Sequence, residues 1–82
     1  MVKAVVHIKV ILHSIYRDKL PPEAKGQATI ELPPGSAVGD ALAHLDIPTE
    51  AVCAVNGQVE RERGRPLHEG DQIEVFMRMG GG

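Results

Sequence analysis

Residues 2–12, VKAVVHIKVIL, carry apolar side chains at every even position: Val2, Ala4, Val6, Ile8, Val10 and Leu12. Lys3, His7 and Lys9 sit among the odd positions. Successive strand side chains point to opposite faces, so this period-two pattern rich in β-branched residues specifies a half-buried strand. The charged interruptions argue against a membrane span, and no small-residue cleavage site follows to suggest a signal peptide. A strand with one apolar face needs partner strands beside it and a cover over that face.

Both needs are met further along. QATIEL, residues 27–32, repeats the alternation, with Ala28, Ile30 and Leu32 on one face and Gln27, Thr29 and Glu31 on the other. The connection HSIYRDKLPPEAKG, residues 13–26, is longer than a usual hairpin loop, and such lengths are often interaction elements. Tyr16 and Leu20 lie four apart and fit one face of a short helical turn, which Pro21 and Pro22 end. PPGSAVGDALAHLDIP supplies the cover. Val38, Ala41, Leu42 and Leu45 fall at i, i+3, i+4 and i+7, with Ser36 as N-cap. Pro48 turns Ile47 towards extended geometry, so the helix ends near Leu45 or Asp46. Gly39 weakens it, and a helix of roughly two and a half turns is marginal without a sheet to pack on.

AVCAVNGQV then gives two extended runs around Asn56–Gly57, a pair that tolerates the positive φ of a tight hairpin. ERERGR, residues 60–65, reads as a solvated loop of mixed sign. LHEGDQIEVFM turns at Gly70–Asp71 into a last strand with Ile73, Val75 and Met77 facing inward. The order is strand, strand, helix, strand, short strand, strand. This is an α+β chain, a sheet with one face buried under a helix.

Size and charge limit what such a fold does. Its 82 residues make one small domain, which buries roughly 60–65% of the surface its unfolded chain exposes. A deep internal active site is hard to build at that size. Nine Lys and Arg against eleven Asp and Glu leave a net charge of −2, without the concentrated basic face that nucleic acid requires. Tyr16 and Phe76 are too few for a base-stacking platform. The lone Cys53 has no disulfide partner in the chain and fits a reducing compartment, so the expected location is cytoplasmic. Cys53 sits mid-strand, where a small buried thiol is the usual finding. His7, His13, His44 and His68 have no metal-ligand spacing and read as surface residues.

ELPPGSAVGDAL before the helix, AVNG after it, LHEGDQIEVF into the last strand and a C-terminal Gly-Gly together resemble the ubiquitin-like sulfur carriers. These are the thiamine-biosynthesis carrier and the small subunit of molybdopterin synthase. The resemblance covers nearly the whole chain. It implies a β-grasp fold, a mixed sheet of four to five strands on one main helix with the first and last strands parallel at its centre. It divides the chain into a single domain, 1–79, and a flexible reactive glycine tail, 80–82. MRM stands where molybdopterin-type subunits often carry prolines, while the long first loop exceeds that of the thiamine carriers. The pathway therefore stays open between the two.

In such carriers an E1-like adenylating enzyme uses ATP to activate the C-terminal glycine, and a sulfur donor such as a persulfide enzyme then leaves a thiocarboxylate. The acceptor is a large synthase subunit or a thiazole synthase. The chain itself would be a protein co-substrate with no bound cofactor and no activity of its own. The resemblance assigns the reactive end to Gly82, with Gly81 beside it. Residues without a Cβ pass through narrow channels and adopt whatever φ and ψ a partner imposes. Phe76 has the opposite parity to Ile73 and Val75 and points away from the helix. With Arg78, Met79 and Gly80 it forms a candidate partner-binding patch, since aromatic residues and arginine are favoured at interface centres. Two other classes share these features. One is a ubiquitin-like modifier that forms isopeptide bonds through its tail; the other is a plain β-grasp interaction module.

Overall fold

The structure, a computed structural model, describes residues 4–76, apart from the side chain of Ile15. Its strands are β1 (Val6–Leu12), β2 (Gln27–Leu32), β3 (Val52–Val55), β4 (Gln58–Glu60) and β5 (Gln72–Phe76), with one helix, α1 (Val38–His44). They form a single sheet in the order β2-β1-β5-β3-β4. β1 and β5 run parallel, with Leu12 beside Val75, and every other pairing is antiparallel. The mixed sheet on one helix is the architecture that the resemblance implies.

The alternation read from residues 2–12 holds over β1, whereas Ala4 lies before the strand and is exposed. Ile8, Val10 and Leu12 are buried, and they join Ile30, Leu32, Val55, Ile73 and Val75 in one core under Val38, Ala41 and Leu42 of the helix. Each of the valine, leucine and isoleucine side chains contributes roughly 1.5–3 kcal/mol when fully buried. Cys53 belongs to this core at 1% exposure. Asn56 (φ 51) and Gly57 (φ 86) make the β3–β4 turn, both left-handed as a two-residue hairpin requires.

The helix is held differently from expectation. Ser36 is not its N-cap. The cap is Ala37, whose N–H donates to the Asp40 carboxylate at 2.7 Å. The Ser36 hydroxyl instead donates to the carbonyl of Pro33 at 2.7 Å. The reason lies in the loop after β4. Val38 N–H donates to Arg65 O at 3.0 Å and Gly39 N–H to Arg63 O at 2.8 Å. Backbone carbonyls from well along the chain thus satisfy the first-turn N–H groups that a serine side chain would otherwise take. Gly39 permits this approach, because a Cβ there would lie 3.3 Å from Arg63 O.

The segment 60–65 is accordingly more than a solvated loop. The half-buried Arg63 donates from Nε to Thr49 O at 2.7 Å, from Nη1 to Glu60 O at 3.1 Å and from Nη2 to Ala51 O. One guanidinium fork thereby ties the entry to β3 to the exit of β4. Mixed charge in the sequence concealed this, since nothing in ERERGR says which arginine turns inward.

The helix stops after His44 with Asp46 at φ 57; Ile47 N–H donates to Leu42 O at 2.9 Å and Asp46 N–H to Ala43 O at 3.1 Å. These are the two bonds of a Schellman terminus, here with aspartate in the usual glycine place. Residues 13–26 form two short 3-10 turns, Ser14–Lys19 and Pro22–Ala24, where one turn was expected. Tyr16 is buried and Leu20 packs against the core, as their spacing requires.

Candidate functional site at the exit of the last strand

The parallel pairing of β1 and β5 brings two chain directions together at one end of the sheet. β5 leaves the sheet at Phe76, next to the point where β1 enters the long connection; His13 N–H donates to Val75 O at 3.0 Å. Leu12 N–H in turn donates to Gly26 O at 2.7 Å, closing the connection back onto the strand it left.

On the face opposite the helix, this end of the sheet is largely apolar. Phe76 pairs with Val52 across β5 and β3, and Glu74 pairs with Ala54. Ile11 lies beside Glu74 on β1, and Val59 lies beside Ala54 on β4. Ile11, Val52 and Phe76 are half-buried, and Val59 is 66% exposed. The His13 imidazole stacks on Phe76, with centroids 4.6 Å apart and planes 3° from parallel. Its Nε2 lies 2.6 Å from Glu74 Oε2. An ionised carboxylate only accepts, so Nε2 carries the proton in this bond.

Phe76 thus takes the orientation its parity predicts. Arg78, Met79, Gly80, Gly81 and Gly82 lie outside the described residues, as do Met77 and the boundary between domain and tail. His13 and Glu74 were missed. The signal was available: His13 continues the odd-numbered face of β1, Glu74 shares the face of Phe76, and parallel β1 and β5 place the two rows side by side.

A cleft of about 450 Å³ within the long connection is lined by Ser14, Arg17, Asp18, Leu20, Pro22 and Lys25. At the other end of the sheet His7 lies 3.2 Å from Glu69 and 3.5 Å from Glu31. The hydrogen bonds from the His7 backbone N–H and ring hold the Glu69 carboxyl below its ordinary value. Burial pushes the Cys53 thiol up, with partial opposition from the Arg63 charge, so Cys53 is poorly suited to act as a thiolate. Among the described residues no group of three or more His, Cys, Asp or Glu is placed to hold a metal ion. None of their helices is long and apolar enough to cross a membrane.

A mixed five-stranded sheet, central parallel strands and one covering helix define the β-grasp, ubiquitin-like class. The ThiS family pattern matches residues 18–82, and the chain belongs to that family. Among solved structures it is similar to a Pyrococcus furiosus protein described as a candidate molybdopterin converting factor, subunit 1. The two share 25% identity at a TM-score of 0.71, over 90% of this chain and 99% of that one. The Haloferax volcanii HVO 2177 protein superposes with a TM-score of 0.78 at 16% identity, covering 95% of this chain and 88% of that one. Small archaeal modifier protein 1 of H. volcanii gives 0.73 at 16% identity, covering 90% and 99%. No curated protein matches the chain.

Proposed function

We propose that this chain is a sulfur carrier that works through Gly82. The observation that carries the reading is that the ThiS family match runs from residue 18 through Gly82 itself, the glycine tail included. The chemistry suits that residue. A free α-carboxyl group titrates at about pH 3.3–3.7, so it is ionised at neutral pH and able to attack the α-phosphorus of ATP. Pyrophosphate leaves, and the glycine becomes an acyl-adenylate. Hydrosulfide then adds to the activated carbonyl carbon and AMP departs, leaving a thiocarboxylate; a persulfide donor would give an acyl disulfide, which a thiol reductant cleaves to the same product. Two easy substitutions replace one hard one.

The division of labour follows from size. An adenylating enzyme supplies the nucleotide site, and this chain supplies a carboxylate on a thin tether. Residues 77–82, fully extended, reach at most about 20 Å beyond Phe76. The sheet face around Phe76 therefore sits at the mouth of whatever channel receives the tail. Its apolar content, with Arg78 two residues further along the chain, suits it to dock both the activating enzyme and the protein that takes the sulfur. The similarity to a candidate molybdopterin converting factor subunit supports a large synthase subunit as that acceptor, with a thiazole synthase as the other family possibility.

The test is mass spectrometry of the intact chain after incubation with its adenylating enzyme, ATP and a sulfide donor. Replacement of one oxygen by sulfur, mapped to Gly82, is the expected result. An adduct through a lysine side chain of another protein would instead identify a modifier. An unchanged mass in a reaction where the enzyme is active would leave only a binding module.

A further inference from the structure

Glu74 lies in the middle of the apolar face, between Ile11 on β1 and Ala54 on β3, with Val59 one strand further out. A partner that covers this face strips water from a full negative charge, which is strongly unfavourable unless a counter-charge is already in place. His13 can provide one. Its Nε2 is 2.6 Å from the Glu74 carboxylate, and its ring is held in that position by the stack on Phe76. A neutral imidazole keeps the hydrogen bond but leaves the pair with a net charge of −1. An imidazolium makes the pair neutral overall.

Among the described residues no other side chain forms an ion pair with Glu74. Arg61, just after β4, shares a cleft with Val52 and Val59, and Arg78 lies outside the described residues. β5 contributes Glu74 and the uncharged Gln72, and β3 contributes Val52 and Ala54. β2 brings Gln27 opposite Ile11, and Lys9 of β1 lies one row further from His13, beside Gln72. The turn that follows β1 carries Arg17, Asp18 and Lys19, all exposed. Among the described residues, Glu74 supplies the carboxylate within ion-pair distance of the ring.

We propose that the adenylating enzyme that receives the tail covers this face with an uncharged, apolar surface, and that docking takes up one proton at His13. The inference rests on the docking reading given under the proposed function. Removing water from the pair strengthens the attraction between imidazolium and carboxylate, so the imidazole holds its proton more tightly in the complex than in the free chain. Affinity is therefore greatest where the imidazole of the free chain already carries its proton, and it falls as pH rises, by up to about tenfold per pH unit, wherever the complex binds a proton that the free chain has lost.

The experiment is calorimetric titration of the full chain with its purified adenylating enzyme, from pH 6 to about pH 8.5, in buffers of different ionisation enthalpy. The wild type should take up a fraction of a proton that rises towards one, with affinity decreasing as pH rises. His13→Gln, which can still donate a hydrogen bond but does not titrate here, should bind with an affinity flat in pH and without proton uptake. Glu74→Gln removes the buried charge and should bind more tightly than wild type at the alkaline end. A flat wild-type profile, or a slope that survives in His13→Gln, overturns the proton linkage and leaves the carrier reading standing. No complex at any pH overturns the docking reading and this inference with it.

Discussion

The imidazole of His13 lies flat on the ring of Phe76, 4.6 Å between centroids, where the first strand ends and the last strand leaves the sheet. Stacked rings of this kind add about 0.5–1.5 kcal/mol beyond the area they bury. The contact holds Phe76 as a rigid, half-buried aromatic on an otherwise open face, which is how interface anchors are commonly built.

Phe76→Ala is expected to lower stability by only about 1 kcal/mol, because the ring is half-exposed and outside the core. Binding to the activating enzyme should weaken by about tenfold or more, the usual size of a lost anchor. Chemical denaturation and a binding isotherm on the same variant separate the two effects. Equal affinity for wild type and variant would remove Phe76 from the docking surface.

Arg63 should matter far more to the fold than its place in a charged loop suggests. Its guanidinium serves three backbone carbonyls, those of Thr49, Ala51 and Glu60, and its own carbonyl receives the Gly39 N–H of the helix. Hydrogen bonds to charged groups contribute about 1.5–3 kcal/mol each in favourable cases, so Arg63→Ala should destabilise by about 2–3 kcal/mol. Arg61→Ala, on an exposed side chain, should fall within about 0.5 kcal/mol of wild type. Urea midpoints of the pair decide this.

The strands were legible because alternation and the Asn56–Gly57 turn are local signals, and the helix because Val38, Ala41, Leu42 and Leu45 keep their spacing. What failed was tertiary. Ser36 has every local qualification for an N-cap, but carbonyls of Arg63 and Arg65 reach the helix first. Nothing near Ser36 in the chain announces them. Likewise Glu74 and His13 are 61 residues apart, and their pairing becomes visible only once β1 and β5 are known to run parallel in this register. Phe76 could be placed from its own strand alone.

Gly26 closes the long connection. It has φ +78, its carbonyl accepts from Leu12 N–H, and a Cβ added there would lie 2.7 Å from Leu12 O. Both the left-handed backbone and the contact penalise a side chain, so Gly26→Ala should destabilise by about 2 kcal/mol or more. Gly35 and Gly70 also have positive φ but open space around them, so alanine there should be milder. Thermal unfolding of the three variants tests the order.

Asp71 makes the stability of this fold sensitive to acid. Burial alone would raise its carboxyl. The His68 N–H and the Asn56 side-chain amide outweigh that and hold the carboxyl below its ordinary value. A carboxylate depressed in the folded state contributes stability that is present above its unfolded value, ~3.9, and lost as pH falls through the folded value. Unfolding free energy should therefore drop below about pH 4, and Asp71→Asn should flatten part of that limb. An acid limb of the same depth in the variant would assign it elsewhere, with Glu60 and Glu69, also held low, as the next carboxylates to test.

The tail and Cys53 offer opposite outcomes for sulfur. Cys53 is sealed in the core with its thiol pushed up by burial, so Cys53→Ala should lower stability by about 1 kcal/mol and leave sulfur loading intact. Deleting Gly82, or appending a residue with a side chain, should abolish loading while the unfolding temperature stays put. Gly81→Val should be nearly as damaging, since a branched Cβ both widens the tail and restricts its backbone. Gly80, nearer the sheet, should tolerate alanine or threonine. Intact-mass measurement after enzymatic activation reads all of these variants in one format. Normal loading in the Gly82 deletion would rule out the carrier mechanism, and loading lost only in Cys53→Ala would move the sulfur to a persulfide.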